Sequence, residues 1–409
     1  MFAHSLLSRL VAVGCALLAP LAHSQSGTQA FTNFKLFDGT GSAVVEDAVL
    51  VVENGRITAI GAAADIAVPP AANGVDLDGA FVMPGFVNAH GHAADDTATK
   101  LAVYAQYGVT TVLSLGGENA SHVAQRDAQN SAAPGTARLY VAGPIQENLE
   151  SVAEAEQGIA DVSSLEADWV KARVTNGNMR QAVSDALVKA AHERDLKVAA
   201  HIYNLDEAKN FLRSGLDVVA HSVRDQNVDG ELIDLMQRNQ ACLIPTLTRE
   251  VSTYIYESRP AFYDNAFFQR GADAAVLASL DNAELRTRNA ANATKGKTDL
   301  AMAQRNLKRV HDAGLRVAMG TDSGAFPERF VGYFEHLELQ LMVEAGLTPE
   351  EALLAATSVA ADCMDLADVG SLEVGHWADF IVLGADPLQD IRNTEQLQSV
   401  WIAGQRIQP

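Results

Sequence analysis

The sequence is poor in cysteine, proline, aromatic residues and positive charge, and past its first two dozen residues it has no long apolar run. It holds only three cysteines in 409 residues, too few for a disulfide-dense scaffold or a four-cysteine zinc cluster. Lysine and arginine number 30 against 51 aspartates and glutamates, a net charge of −21. That balance argues against nucleic acid and anionic membrane surfaces as partners. It says little about a small-molecule substrate, because a local patch can oppose the global field. No segment beyond residue 24 is long and apolar enough to insert into a membrane as a helix.

The first 24 residues read as a signal peptide. Met1 to Arg9 carries one positive charge and no acid, Leu10 to Ala22 is apolar, and Ala22-His23-Ser24 places small residues where a signal peptidase cuts. The expectation is an exported protein, periplasmic or secreted, starting near Gln25. Loss of Arg9 takes the charge from −21 to −22. Lipid attachment at Cys15 is the alternative, but Ala12-Val13-Gly14-Cys15 lacks the leucine of a good lipobox. After cleavage only Cys242 and Cys363 remain, the first opening an apolar strand-like run and the second within a helical pattern. Two buried free thiols are expected rather than a disulfide, although an exported chain could form one.

What is present is a long alternation of strands and helices between two β-like ends. Residues 25–83 contain short apolar runs such as Ala48-Val49-Leu50-Val51-Val52, punctuated by Asp38-Gly39, Glu53-Asn54-Gly55 and Asn73-Gly74. Residues 367–409 hold a matching pair, Phe380-Ile381-Val382-Leu383 and Val400-Trp401-Ile402. A small β-sandwich built from both termini is the simplest reading. Between them, 84–366 offers candidate strands at 82–90, 110–115, 138–143, 168–174, 197–202, 217–222, 242–248 and 316–322, with helical patterns between most of them. Eight strand–helix units in one domain predict an α/β fold, a (β/α)8 TIM-like barrel, whose chemistry sits at the C-terminal ends of the strands. The link 249–315 is long and predicts a helical excursion over the barrel mouth.

The predicted strand ends carry an unusual set of side chains. The first ends in His90-Gly91-His92, whose two imidazoles lie on one side of an extended chain. The fourth holds Lys171 inside an apolar run, the fifth ends in His201, the sixth in His221, and the eighth in Asp322 between glycines. Each alone is as well explained by a satisfied core histidine, a snorkelling lysine or a helix-capping aspartate. Together they place four histidines, a lysine and an aspartate at one end of one barrel.

That order, His-x-His, Lys, His, His, Asp, resembles the amidohydrolase superfamily, and within it the binuclear members with a lysine on the fourth strand. Met83-Pro84-Gly85-Phe86-Val87-Asn88-Ala89-His90-Gly91-His92 is similar to the superfamily opening, with Asn88 where Asp is common. Gly108-Val109-Thr110-Thr111-Val112 and Gly320-Thr321-Asp322-Ser323-Gly324 resemble its second and eighth strands. Leu347 to Ala352 and Gly370 to Asp379 resemble the tail of the imidazolonepropionase-like and prolidase-like branch. The resemblance implies two divalent metal ions, with zinc favoured by imidazole ligands. His90, His92 and Asp322 would hold one ion and His201 and His221 the other, with Lys171 bridging both as a carbamate. Asp322 would orient the attacking water and act as general base, then general acid.

For substrate contacts, Tyr203 is a candidate catalytic donor to the developing oxyanion. Arg173, Arg224 and Arg249 are candidates for gripping a carboxylate, with loop salt bridges as the equal alternative. Residues 254–268 gather Tyr254, Tyr256, Phe262, Tyr263, Phe267 and Phe268. They are expected to pack the excursion onto the barrel, with Tyr254 a candidate to line a pocket. The expected activity is hydrolysis of a C–N amide bond in a small molecule, with a dipeptide or N-acyl amino acid as the expected substrate. Ester, lactone or cyclic-amide hydrolysis by the same site is the alternative, and a non-catalytic binding protein the distant rival. A homo-oligomer stays open.

Overall fold

The computed structural model describes residues 27–129, 135–175 and 179–407; the expected leader lies outside them. Along these residues run fifteen strands. They are β1 (Gln29–Leu36), β2 (Val45–Glu53), β3 (Arg56–Ala62), β4 (Asn73–Pro84), β5 (Phe86–Gly91), β6 (Val109–Ser114), β7 (Arg138–Val141) and β8 (Gln146–Glu147). β9 (Trp169–Arg173), β10 (Lys197–His201), β11 (Val218–Ala220), β12 (Cys242–Ile244), β13 (Phe380–Leu383), β14 (Leu397–Ile402) and β15 (Gln405–Arg406) follow.

Both chain ends meet in one seven-stranded sheet of order β15-β14-β13-β4-β1-β2-β3, not in the two packed sheets of the expected sandwich. The reason is β4. Its early part pairs parallel with β1, and its last residues, Phe81 to Pro84, also pair antiparallel with β13. One long strand thus joins the two termini edge to edge. A buried face of Phe31, Phe34, Leu50, Phe380 and Trp401 closes over it, with Phe31 edge-on to Phe380 and Trp401 at 5.0 and 4.8 Å.

The central region contains two parallel sheets, β5-β6-β7 and β8-β9-β10-β11-β12. The predicted eighth strand is not a regular strand. Residues 317 and 323 make isolated parallel bridges to Leu243 and Gly91 respectively. Backbone hydrogen bonds from Ala318 N to Leu243 O, Ala89 N to Met319 O and Asp322 N to His90 O join this segment to β12 on one side and β5 on the other. The ladder breaks because Asp322 turns to φ +59°. At Gly320 a Cβ would lie 2.4 Å from Ile244 and 2.7 Å from His90 Cβ, so only glycine fits.

Helices follow most strands, and their caps are written in the sequence. Asn204 and Asp229 accept from the backbone of the first turns of helices Leu205–Arg213 and Gly230–Asn239. The link after β12 folds into short helical turns and one 30-residue helix, Ala283–Asp312. Its aromatic cluster packs inward, Phe262, Tyr263, Phe267 and Phe268 meeting Phe330, Tyr333 and Tyr107. A bidentate ion pair, Arg138 to Asp379 at 2.6 and 3.1 Å, ties β7 to the terminal sheet with both side chains buried.

The two cysteines are not free thiols. Cys242 and Cys363 form a disulfide, with Cα atoms 6.0 Å apart, pinning β12 to helix Ser358–Cys363. Both residues are buried, as the sequence indicated, but burial is common to thiols and half-cystines; only spatial proximity separates them. Among the described residues no helix is long and apolar enough to cross a membrane.

Candidate metal centre and active site

The predicted strand ends do converge. His92 Nε2 lies 2.8 Å and His90 Nε2 3.4 Å from Asp322 Oδ1, and one ligand atom from each of the three residues falls within 4.8 Å of the others. Lys171 Nζ is 3.3 Å from His90 Nε2. The His221 ring bridges to His90 and His201, centroids 4.6 and 4.2 Å apart. Three non-glycine residues here take left-handed backbone: His221 at φ +69°, Thr246 at +48° and Asp322 at +59°. Such conformations cost about 1–3 kcal/mol each and persist where the surroundings over-determine them. Here the His221 Nδ1 to Thr246 Oγ1 hydrogen bond, 2.6 Å, links two of them.

Electrostatics favour neutral donors. Burial, then the Lys171 ammonium, drives His90 down to about 3. Burial also holds His201 and His221 well below the ordinary imidazole range, helped by Lys171 and Arg249 near His201 and by His201 and His90 near His221. Burial brings Lys171 down to about 8. Burial would raise Asp322, but the Arg329 guanidinium and the two histidines outweigh it and keep the carboxylate ionised. Neutral imidazoles beside one carboxylate and an amine of lowered basicity form a donor set that suits a divalent ion. His90 Nδ1 is buried with no hydrogen-bond partner among the described residues.

A supporting layer escaped the sequence reading. Asn88 Oδ1 accepts from His90 N at 2.9 Å, and Asn88 Nδ2 donates to Glu335 at 2.6 Å and Thr321 at 3.1 Å. Glu335 Oε1 also accepts from Thr321 and Ser323 hydroxyls at 2.8 and 2.7 Å. Glu335 thus braces both flanks of Asp322 and, through Asn88, the backbone of His90. Arg329 donates to Asp322 Oδ2 and, through Nε, to Ser252 at 3.0 Å. Glu118, buried after β6, accepts from Ser114 and from Gly116 N. The only hint in the sequence was Asn88 itself, a residue that needs a partner for its amide. Nothing along the chain points from it to position 335.

The candidate substrate residues divide. Tyr203 and Arg224 come together: Arg224 N donates to Tyr203 O at 2.8 Å, and the Arg224 guanidinium lies 4.9 Å from the Tyr203 ring centroid. Arg249 donates to Glu250 at 2.8 Å. Arg173 is held by Glu147 through two hydrogen bonds, 3.0 and 2.8 Å. Tyr254 sits against the long helix, under Lys297 and beside Gly296.

The sequence profile of the amidohydrolase family matches residues 81–407. The chain belongs to the amidohydrolase family. It is 26% identical over 379 residues to an imidazolonepropionase of Mycolicibacterium smegmatis, covering 87% of this chain and 88% of the relative. It is equally 26% identical over 377 residues to a 5-methylthioadenosine/S-adenosylhomocysteine deaminase of Bacillus cereus, covering 83% and 81%. In three dimensions it is similar to a prolidase-like protein of Bifidobacterium longum at a TM-score of 0.77 and 25% identity, covering 94% of this chain and 95% of that one. This amidohydrolase is a hydrolase acting on C–N bonds of small molecules. The family uses metal ions, and His90, His92 and Asp322 form its candidate metal group.

Proposed function

We propose that the protein is an exported, binuclear metal hydrolase that cleaves the amide bond of a small molecule with a free carboxylate, a dipeptide or N-acyl amino acid. The observation that carries the reading is the meeting of Lys171 with His90, of His90 and His92 with Asp322, and of His90 with His221. Carbamylated, Lys171 would supply carboxylate oxygens to hold a pair of divalent ions together with the histidines. Its lowered basicity helps, because carbon dioxide adds to the neutral amine. His90, His92 and Asp322 would hold one ion, and His201 and His221 the other, with zinc favoured by the neutral imidazoles. The two parallel sheets and segment 316–323 are read as the wall of one (β/α)8 barrel.

Bound divalent ions supply an acidified water and polarise the carbonyl to be cleaved. The remaining roles fall to side chains. Arg329 engages Asp322 Oδ2, and Oδ1, which lies 2.8 Å from His92 Nε2 and faces the donor group, would take a proton from the attacking water and pass it to the leaving nitrogen. Tyr203 Oη accepts from Lys295 Nζ at 2.7 Å, which leaves the phenolic proton free to donate to the oxygen of the carbonyl under attack. The Cys242–Cys363 disulfide supports an oxidising compartment, in line with residues 1–24 as a signal peptide.

The test is a hydrolysis panel of dipeptides, N-acyl amino acids, lactams and esters with metal-loaded mature protein. Turnover of α-amido acids above esters and lactams is expected. No turnover of any amide would overturn the reading.

A further inference from the structure

Resting on the amide-hydrolase reading, we infer that Arg224, covered by the Tyr203 ring that Lys295 holds, is the subsite for a substrate carboxylate placed α to the amide nitrogen. Arg224 is a guanidinium with almost no solvent, its side chain 1% exposed. Among the described residues, none of its Nε, Nη1 and Nη2 atoms has a hydrogen-bond partner. Among the described residues its one ionic contact is Nη1 to Glu250 Oε1 at 3.2 Å, without hydrogen-bond geometry, and that oxygen already accepts from Arg249. A buried cation with unmet donors is costly, and an anion that supplies two acceptors would satisfy it.

Position makes that anion a substrate group. Arg224 follows His221 by three residues and Tyr203 follows His201 by two, and the two loops are stitched by the Arg224 N to Tyr203 O bond. Tyr203, half-buried, lays its ring against Arg224, while Lys295 on the long helix fixes its hydroxyl and lies 4.7 Å from the ring centroid. Lys295 is in turn held by Asp299 on the same helix. The Tyr203 hydroxyl and the Arg224 guanidinium are therefore separated by little more than one phenol ring. An α-carboxylate stands only three covalent bonds from the amide carbonyl carbon, so one substrate can meet both, whereas a carboxylate at the end of a longer chain would overshoot. The helix Ala283–Asp312 supplies a second cation, Lys295, beside the same ring.

Calorimetry on the metal-loaded mature chain, with L-leucine and L-leucinol as probes, tests this without turnover. The two differ only in carboxylate against hydroxymethyl, and both offer the same amine to the metals. L-leucine is expected to bind about 10- to 100-fold tighter. Arg224→Gln should erase the difference, and Lys295→Met, a change on an exposed helix face that leaves the core untouched, should reduce it about three- to tenfold. Equal binding by the wild type, including none, would overturn the assignment, as would a preference that survives Arg224→Gln. If Arg224→Gln does not fold, an unchanged preference in Lys295→Met overturns the clamp, and a reduced one supports it. The two readings fail separately. Amide hydrolysis without carboxylate preference removes the subsite alone, and retained carboxylate binding without hydrolysis of any amide removes the amide reading alone.

Discussion

Replacing Glu335 with alanine should damage both the fold and the metal centre, although Glu335 is not among the metal-facing residues. Its Oε1 accepts from Asn88 at 2.6 Å, Thr321 at 2.8 Å and Ser323 at 2.7 Å, all buried. After Glu335→Ala, the Asn88 amide keeps Thr321 at 3.1 Å and Ser323 keeps Tyr104 at 2.7 Å, but the Thr321 hydroxyl loses its acceptor. One stranded donor, two weakened ones and the loss of an acceptor shared by three buried donors together cost about 3–5 kcal/mol. Because Thr321 and Ser323 flank Asp322, and Asn88 holds the His90 backbone, metal affinity should also fall about 10- to 100-fold. Glu335→Gln keeps an acceptor in place and should cost about 1–2 kcal/mol with a smaller change in affinity. Urea unfolding gives the first quantity and competition with a calibrated chelator the second. If Glu335→Ala changed stability by under about 1 kcal/mol and left metal affinity intact, the bracing argument would be wrong.

Two further predictions concern the frame. Burial drives His336 down to about 4 from its usual 6.5, with its Nε2 donating to Tyr107 O at 2.8 Å. The fold therefore favours the neutral ring, and this stability is present above pH 6.5 and lost as pH falls toward 4. It amounts to about 3 kcal/mol, and His336→Gln should flatten the acid side of the stability–pH curve by one proton; an unchanged slope would contradict it. The Cys242–Cys363 bond closes a 121-residue separation, so Cys242→Ser/Cys363→Ser should lower stability by up to about 5 kcal/mol on the loop-entropy account. An identical urea midpoint for the double variant and the oxidised wild type would refute that.

Local pattern carried most of the site because its residues sit at the ends of strands, where an apolar run stops and a ligand begins. His90, Lys171, His201 and His221 each close or interrupt such a run, and Asp322 stands between glycines that allow its turn. The eighth run was legible as an element but not as a broken one, since the φ of Asp322 follows from contacts with His90 and Arg329. The partners of those residues were invisible. Glu335 reads as one polar position in a helix, Arg329 as a loop cation, and Lys295 as one charge among many on a long polar helix. Each matters through contacts with residues from 7 to 247 positions away. The same holds for the disulfide and for the single sheet. Pairing between β4 and β13 and between Cys242 and Cys363 is a fact of packing that composition and periodicity do not encode.

The most direct measurement is the transition-metal content of the mature chain, by elemental analysis of protein prepared with bicarbonate, alongside Lys171→Ala. The account predicts close to two ions per wild-type chain and about one or fewer in the variant, with most amide hydrolysis lost. A wild-type content of one, or equal contents in both proteins, would contradict a lysine-bridged pair of ions and leave Lys171 a structural or substrate-binding residue.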